Sequence, residues 1–349
     1  MTRSAGLPMM EQSPSHPPAG TALMTYPRLA LRGLATIRHV RFRLLHALST
    51  STLLFVPAML FALSDQPASW IFPFTLSAAY SMMIVLLAKR LSLYSLAGLP
   101  VMQWLGQACI GKDWLMLPVL AGMLLIMATV SRRGLHKGMQ FWVFSLLLAN
   151  MMPASTLPAG KHALLAFCGA AYGLLLGRYG LADWHRVLPG AARDDVRRYA
   201  WHLLLCGCLA WLAGGRWHLP HTWWLPVLVV GIIDPSPQRM LWLVKERVYG
   251  TLLGGVLAAL LAWWQPPPAI HMLIMCLVLT TALMLMQRSF RGFIAGLTLL
   301  VLSVMPVAQV QHGVVERVAD TLLVGVLLGS LAWWLEMGVK QQLLQNRAG

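Results

Sequence analysis

The stretch Val314–Gly329, VVERVADTLLVGVLLG, places Glu316, Arg317 and Asp320 at the start of an apolar run long enough to cross a bilayer. At helical spacing Glu316 and Asp320 are one turn apart and Arg317 lies three residues before Asp320, so the three side chains project from neighbouring positions. Asp320 would sit about 6 Å deeper than Glu316. A carboxylate facing hydrocarbon costs several kcal/mol, which is why such charges face a protein interior or a wet cavity. Arg317 can neutralise one carboxylate and leave the other free to exchange a proton. That is the chemistry of a proton relay or of a cationic spot for an anion. The structural alternative puts Glu316 and Arg317 in the headgroup layer and makes Asp320 a brace for the helix start.

A second constellation is GIIDPSPQRMLWLVKERVYGTLLGG, Gly231–Gly255. A short apolar segment ends at Asp234-Pro235, because proline cannot continue a helix. Short, Pro-interrupted spans mark transporter binding sites. Arg247 opens the next helix, with Thr251 and Gly254 on its early turns. Asp234 braces the loop through Arg239 or Arg247, or else Arg247 faces a cavity and attracts an anion. Gly325-x-x-x-Gly329 and Gly169-x-x-x-Gly173 permit a neighbouring helix to approach closely.

The elements that must carry these residues are membrane helices. The chain is 58% hydrophobic and 11% charged, with a mean hydropathy of +0.66. A soluble domain is about a quarter charged. Apolar runs of helix-spanning length recur throughout. The net charge of +16 reflects basic loops between those runs, and no basic run interleaved with aromatics suggests nucleic acid. Cys109, Cys168, Cys206, Cys208 and Cys276 all fall in apolar runs without metal or redox spacing, so no metal and no cofactor is expected. No nucleotide-binding, hydrolase or metalloprotease motif is present, and the chain does not read as an enzyme.

The apolar periodicity predicts an all-α, polytopic fold of twelve spans between Leu44 and Leu335. With the N-terminus inside, only Lys112, Lys161, Arg216 and Arg317 of the 27 Lys and Arg fall on the outer side. The positive-inside rule therefore predicts N-in and C-in. Trp70, Trp114, Trp223, Trp224, Trp263, Trp264, Trp333 and Trp334 stand at span ends, where an interfacial aromatic belt would place them. Pro67–Pro73 and Pro220–Pro226 share P-x-x-W-x-x-P, Lys161–Gly173 aligns with Arg317–Gly329, and Met152-Pro153 matches Met305-Pro306. These pairs predict two parallel six-helix repeats. The expected organisation is a cytoplasmic tail over 1–43, repeats over 44–177 and 199–336, a cytoplasmic linker over 178–198 and a tail over 337–349. The tail has no apolar h-region of a cleavable signal peptide, and the absence of a transit-peptide pattern favours direct insertion into a bacterial inner membrane.

ERVYGTLLGGVLAALLAWW (Glu246–Trp264) and VERVADTLLVGVLLGSLAWWL (Val315–Leu335) resemble the paired R-x-x-G-T-x-x-G and R-x-x-D-T-x-x-G signatures of the fusaric-acid-resistance-like family, which includes bacterial aromatic acid exporters. Arg247, Gly250, Thr251 and Gly254 match the first. Arg317, Asp320 and Thr321 match the second, with Val324 in the glycine position and Gly325 one place late. The resemblance implies proton-coupled export of small aromatic or hydroxylated carboxylic acids, often with a periplasmic membrane-fusion adaptor. The first repeat keeps Lys161 for Arg317 but Leu164 for Asp320, so coupling is expected in the second repeat alone. A passive anion channel and a non-transporting subunit of an envelope complex are the rival expectations.

Overall fold

The computed structural model describes residues 44–57, 60, 68–150, 157–180, 190–216, 223–286, 288–303 and 307–348. The chain forms two units, Met1–Leu44 and Leu45–Gly349, and the second is the helical body. Its helices are α1 (Leu44–Pro57), α2 (Ala68–Leu87), α3 (Ser95–Ala108), α4 (Asp113–Val130), α5 (His136–Asn150), α6 (Ala159–Gly180), α7 (Arg193–Arg216), α8 (Trp224–Ile232), α9 (Pro237–Trp264), α10 (Pro268–Met286), α11 (Phe290–Ser303) and α12 (Val307–Ala348). The described residues contain no strand. The stretches Asp113–Arg133, Ala159–Gly180, Pro237–Trp264 and His312–Met337 are long and apolar enough to cross a bilayer, and α1, α2, α10 and α11 hold shorter apolar stretches.

Surface and interior are inverted relative to a soluble bundle. On α12, Leu322, Leu323, Val326, Leu327, Trp333 and Trp334 point outward, while Arg317, Asp320 and Thr321 are buried. Hydrocarbon solvates the apolar face, and the protein interior solvates the charges.

Contacts at the glycines fix the direction in which each helix runs. Gly169 and Gly173 of α6 meet Phe74 and Ala78 of α2 in rising order, so α2 and α6 run parallel. In α3 and α5, Gln103 donates to Ser145 Oγ (3.0 Å) and Gln107 to the Ala149 carbonyl (2.7 Å), again in rising order. Gly250 and Gly254 of α9 meet Ile294 and Thr298 of the parallel α11, whereas Gly255 meets Val314 and Gly325 meets Val248, so α9 and α12 are antiparallel. In every one of these pairs, helices of equal parity in the chain run parallel and helices of unequal parity run antiparallel. Helix pairs also recur between the halves. α3 packs on α5 and α6 as α9 packs on α11 and α12, and α2 packs on α6 as α8 does on α12. Contact between the halves includes α4 on α7 and α5 on α8, with the Thr52 hydroxyl of α1 against Cys276 of α10.

A Cβ at Gly173 would overlap the carbonyl of Ala78, which is rigid helix backbone, and Gly169 is held in the same way against Phe74. At Gly250 and Gly254 the opposing atoms are the Arg291 and Ala295 carbonyls of α11, and at Gly325 Val248 Cγ2 lies 3.1 Å away. Gly329 differs. Its nearest neighbour, Val244 Cγ1, is at 3.8 Å, so the expected close approach there is an ordinary contact that leaves room for a methyl group. Gly173→Ala is expected to destabilise the protein by about 1–3 kcal/mol through overpacking, and Gly329→Ala to be neutral. Thermal melts of the purified variants measure both, and equal melting temperatures would refute the distinction.

α7 begins at Arg193 and α12 continues to Ala348, so helix extends into the stretches read as linker and C-terminal tail. The N-terminal tail 1–43, Pro67, Pro220, Met152-Pro153, Met305-Pro306 and linker residues 181–189 lie outside the described residues.

Candidate functional site

The site starts at the break between α8 and α9. α8 stops after nine residues at Ile233, which is extended with ψ at 129°, and Pro235 then disfavours helical backbone at Asp234. Ser236 then caps α9. Its Oγ accepts from the Arg239 N–H at 3.4 Å, with Pro237 in the first turn. The Ser236 N–H donates to Asp234 Oδ1 at 3.2 Å, which orients that carboxylate.

The other oxygen of Asp234 gathers three bases: Arg239 Nε at 3.4 Å, Lys137 Nζ at 3.5 Å and His136 Nε2 at 3.8 Å. Burial alone would raise its pKa. The neighbouring His136 imidazole and the Lys137 and Arg239 charges outweigh burial and hold the carboxyl at about 2. Of the two partners expected for Asp234, the structure provides Arg239 and not Arg247. Lys137 and His136 come from α5, in the other half of the chain. They stand on the first turn of α5, which begins at His136. Lys137-Gly138 and Arg291-Gly292 open α5 and α11 alike, and that repeated pair was the missed signal.

Arg247 is released for another surface. It is 6% exposed and lines a cavity of about 440 Å³ between the halves. The polar lining comes from Lys137 and Gln140 of α5, Arg239 and Arg247 of α9, and Arg288 with Ser289 before α11. No carboxylate lines it among the described residues. Its walls are aromatic. Phe141 and Phe144 meet edge-on with centroids 5.9 Å apart, and Trp242 faces Phe290 at 5.5 Å. Gly231 of α8 forms part of the floor, and a Cβ there would overlap Arg247 Nη1. Arg247 Nε has no hydrogen-bond partner among the described residues.

Arg317 and Asp320 of α12 are also buried, at 7% and 8% exposure. Arg317 Cζ sits 3.7 Å from the ring centroid of Trp224, a desolvated cation–π contact. Trp224 is therefore not in the interfacial belt where its position in the sequence placed it. It is 2% exposed and forms a platform under the guanidinium. Trp114, Trp263, Trp333 and Trp334 are exposed, as belt residues should be. Arg317 lies within electrostatic reach of both Arg247 and Asp320. Glu316 is half-buried on the same turn. Thr251 and Thr321 are buried on the inward faces of α9 and α12, and the Thr321 hydroxyl donates to the Arg317 carbonyl at 2.7 Å, within its own helix. Among the described residues no group of His, Cys, Asp and Glu converges as a metal site.

Arg247 and Arg317 thus form two levels of positive charge, one in an aromatic cavity and one behind it with a carboxylate beside it. Residues 207–332, which span the end of α7, α8 to α11 and most of α12, match the family model described as fusaric acid resistance protein-like. No curated protein and no solved structure matches the chain. The apolar helices and this match together support a multi-pass membrane protein.

Proposed function

We propose that this chain, with a fusaric acid resistance protein-like segment over residues 207–332, exports small organic anions, aromatic carboxylates foremost, by coupling to the proton gradient. The observation that carries the reading is the cavity shared by the two halves, where Lys137, Arg239, Arg247 and Arg288 stand among Phe141, Phe144, Trp242 and Phe290. A carboxylate takes two parallel hydrogen bonds from a guanidinium, and an aromatic ring is accommodated by the walls. Asp234 holds Lys137 and Arg239 in place, and of the two remaining arginines Arg247 is the buried one, so it is the cation that meets the substrate.

The alternating helix directions and the recurring helix pairs support two parallel six-helix repeats with N-in and C-in topology. Substrate sites of repeat-built transporters lie at such an interface. A bacterial inner membrane is the expected location, and a periplasmic membrane-fusion adaptor is the expected partner on the outer face. Asp320 beside Arg317 supplies the coupling element. Protonation of Asp320 weakens its hold on Arg317, and two states with different anion affinity follow.

The test is transport of labelled aromatic and aliphatic carboxylates in inverted vesicles, comparing wild type with Arg247→Gln. Gradient-driven transport that favours aromatic acids is expected, together with a loss of about 10–150-fold in apparent affinity in the variant, the worth of one charge-assisted hydrogen bond. Flux indifferent to the gradient would instead identify a passive channel. Failure of the folded, inserted protein to move any acid would overturn the transport reading in favour of a structural subunit.

A further inference from the structure

A second basic site lies away from that cavity, at the end of the bundle where α4 meets α7. α4 runs into the turn Ser131–Arg133, and the chain returns to this turn just before α7. The Ala191 N–H donates to the Ser131 carbonyl at 3.0 Å, and Gly190 sits so close to the Arg132 carbonyl that a Cβ would overlap it. This tie docks the start of α7, with Arg193, on the turn that carries Arg132.

Two adjoining clefts result. One, of about 560 Å³, sets Arg132, Arg193 and Arg197 above an apolar floor of Leu125, Ala128, Val196 and Ala200. The other, of about 670 Å³, shares Arg197 and adds Arg198, Trp201 and His202. Arg198 is paired with Asp195. Arg132, Arg193 and Arg197 are exposed and have no acidic partner among the described residues. Below them the apolar surface continues outward through Leu125 and Ile126, and the exposed Trp201 flanks the arginines.

We propose that this corner binds an anionic phospholipid, with its phosphate on Arg132, Arg193 and Arg197 and an acyl chain along Leu125, Val196 and Ala200. Three guanidiniums at a membrane end match a phosphate diester by charge and by fork geometry. Trp201 stands where an interfacial indole contacts headgroups. The apolar floor is what separates a lipid from a free anion, since inorganic phosphate has nothing to place there. None of these residues lines the aromatic cavity, so the inference does not depend on the transported substrate. The site lies on the contact between α4 and α7, which joins the halves.

The full chain, purified in zwitterionic detergent, would be titrated with phosphatidylglycerol, phosphatidylcholine or inorganic phosphate, and bound lipid counted by native mass spectrometry. Wild type is expected to retain phosphatidylglycerol selectively. The triple variant Arg132→Gln, Arg193→Gln, Arg197→Gln is expected to bind it roughly a hundredfold more weakly, given the typical contribution of each basic residue at a lipid surface. Unchanged lipid retention in the variant would overturn the proposal, as would displacement of the lipid by inorganic phosphate at equal concentration. If the triple variant fails to fold, wild type carries the test alone. A photoreactive phosphatidylglycerol must then label residues 125–133 or 193–201, and labelling confined to other helices would refute the site.

Discussion

Asp320→Asn is expected to abolish uphill export while the protein still folds and still binds its anion. Asparagine keeps the shape of the side chain but can neither carry charge nor exchange a proton. Arg317 then remains cationic throughout the cycle, stacked on Trp224 at 3.7 Å and close to Arg247. In the coupling cycle proposed above, nothing then alternately holds and releases that charge, so the gradient no longer biases one state over the other. Removing one partner of a buried pair costs about 3–5 kcal/mol of stability, so melting temperature must be measured beside transport. The diagnostic result separates the two effects. Gradient-driven accumulation should fall by at least about a hundredfold, as the loss of a few kcal/mol of coupling requires, while downhill exchange of the same acid persists. Asp320→Glu should restore part of the accumulation. Wild-type accumulation by a folded Asp320→Asn protein would remove Asp320 from the mechanism and leave Arg317 with a packing role.

The polar stripe of α12 was legible in the sequence, and the burial of Arg317 decides against the headgroup layer as its place. Large apolar residues alternate around the helix with Arg317, Asp320 and Thr321, and only a protein interior accepts that polar stripe. The α8 break was equally legible, since Asp234-Pro235 stops a helix whatever surrounds it. What local pattern could not supply was the choice of partner. Arg239 and Arg247 both lie near Asp234 in sequence, but Lys137 and His136 approach from α5 and satisfy the carboxylate, which frees Arg247 for the cavity. The aromatic walls were hidden for the same reason. Phe141 and Phe144 of α5 line one cavity with Phe290 and Phe293 of α11, which no local pattern shows. Trp224 was misplaced because a tryptophan at a span end suits an interface and a buried cation equally, and only the position of Arg317 decides between them.

Gly231→Ala offers the sharpest test of the cavity, because helix propensity and function pull in opposite directions. Gly231 lies near the end of α8, and alanine is the better helix former by up to about 1 kcal/mol. The added methyl group would overlap Arg247 Nη1, the far end of a flexible side chain, and would lie 3.4 Å from Gln140 Nε2. Backbone need not move, so the fold should be kept or slightly stabilised. The guanidinium must swing away from the floor, and the fork that receives the carboxylate goes with it. Apparent affinity for an aromatic carboxylate should fall about 10–150-fold, as for loss of a charge-assisted hydrogen bond, with the melting temperature unchanged or higher. Combining Gly231→Ala with Arg247→Gln should then cost little more than Arg247→Gln alone, because both act on one cation. Additive losses would mean that Gly231 contributes through something other than Arg247. Unaltered affinity in Gly231→Ala alone would mean that the substrate does not meet Arg247 in this cavity.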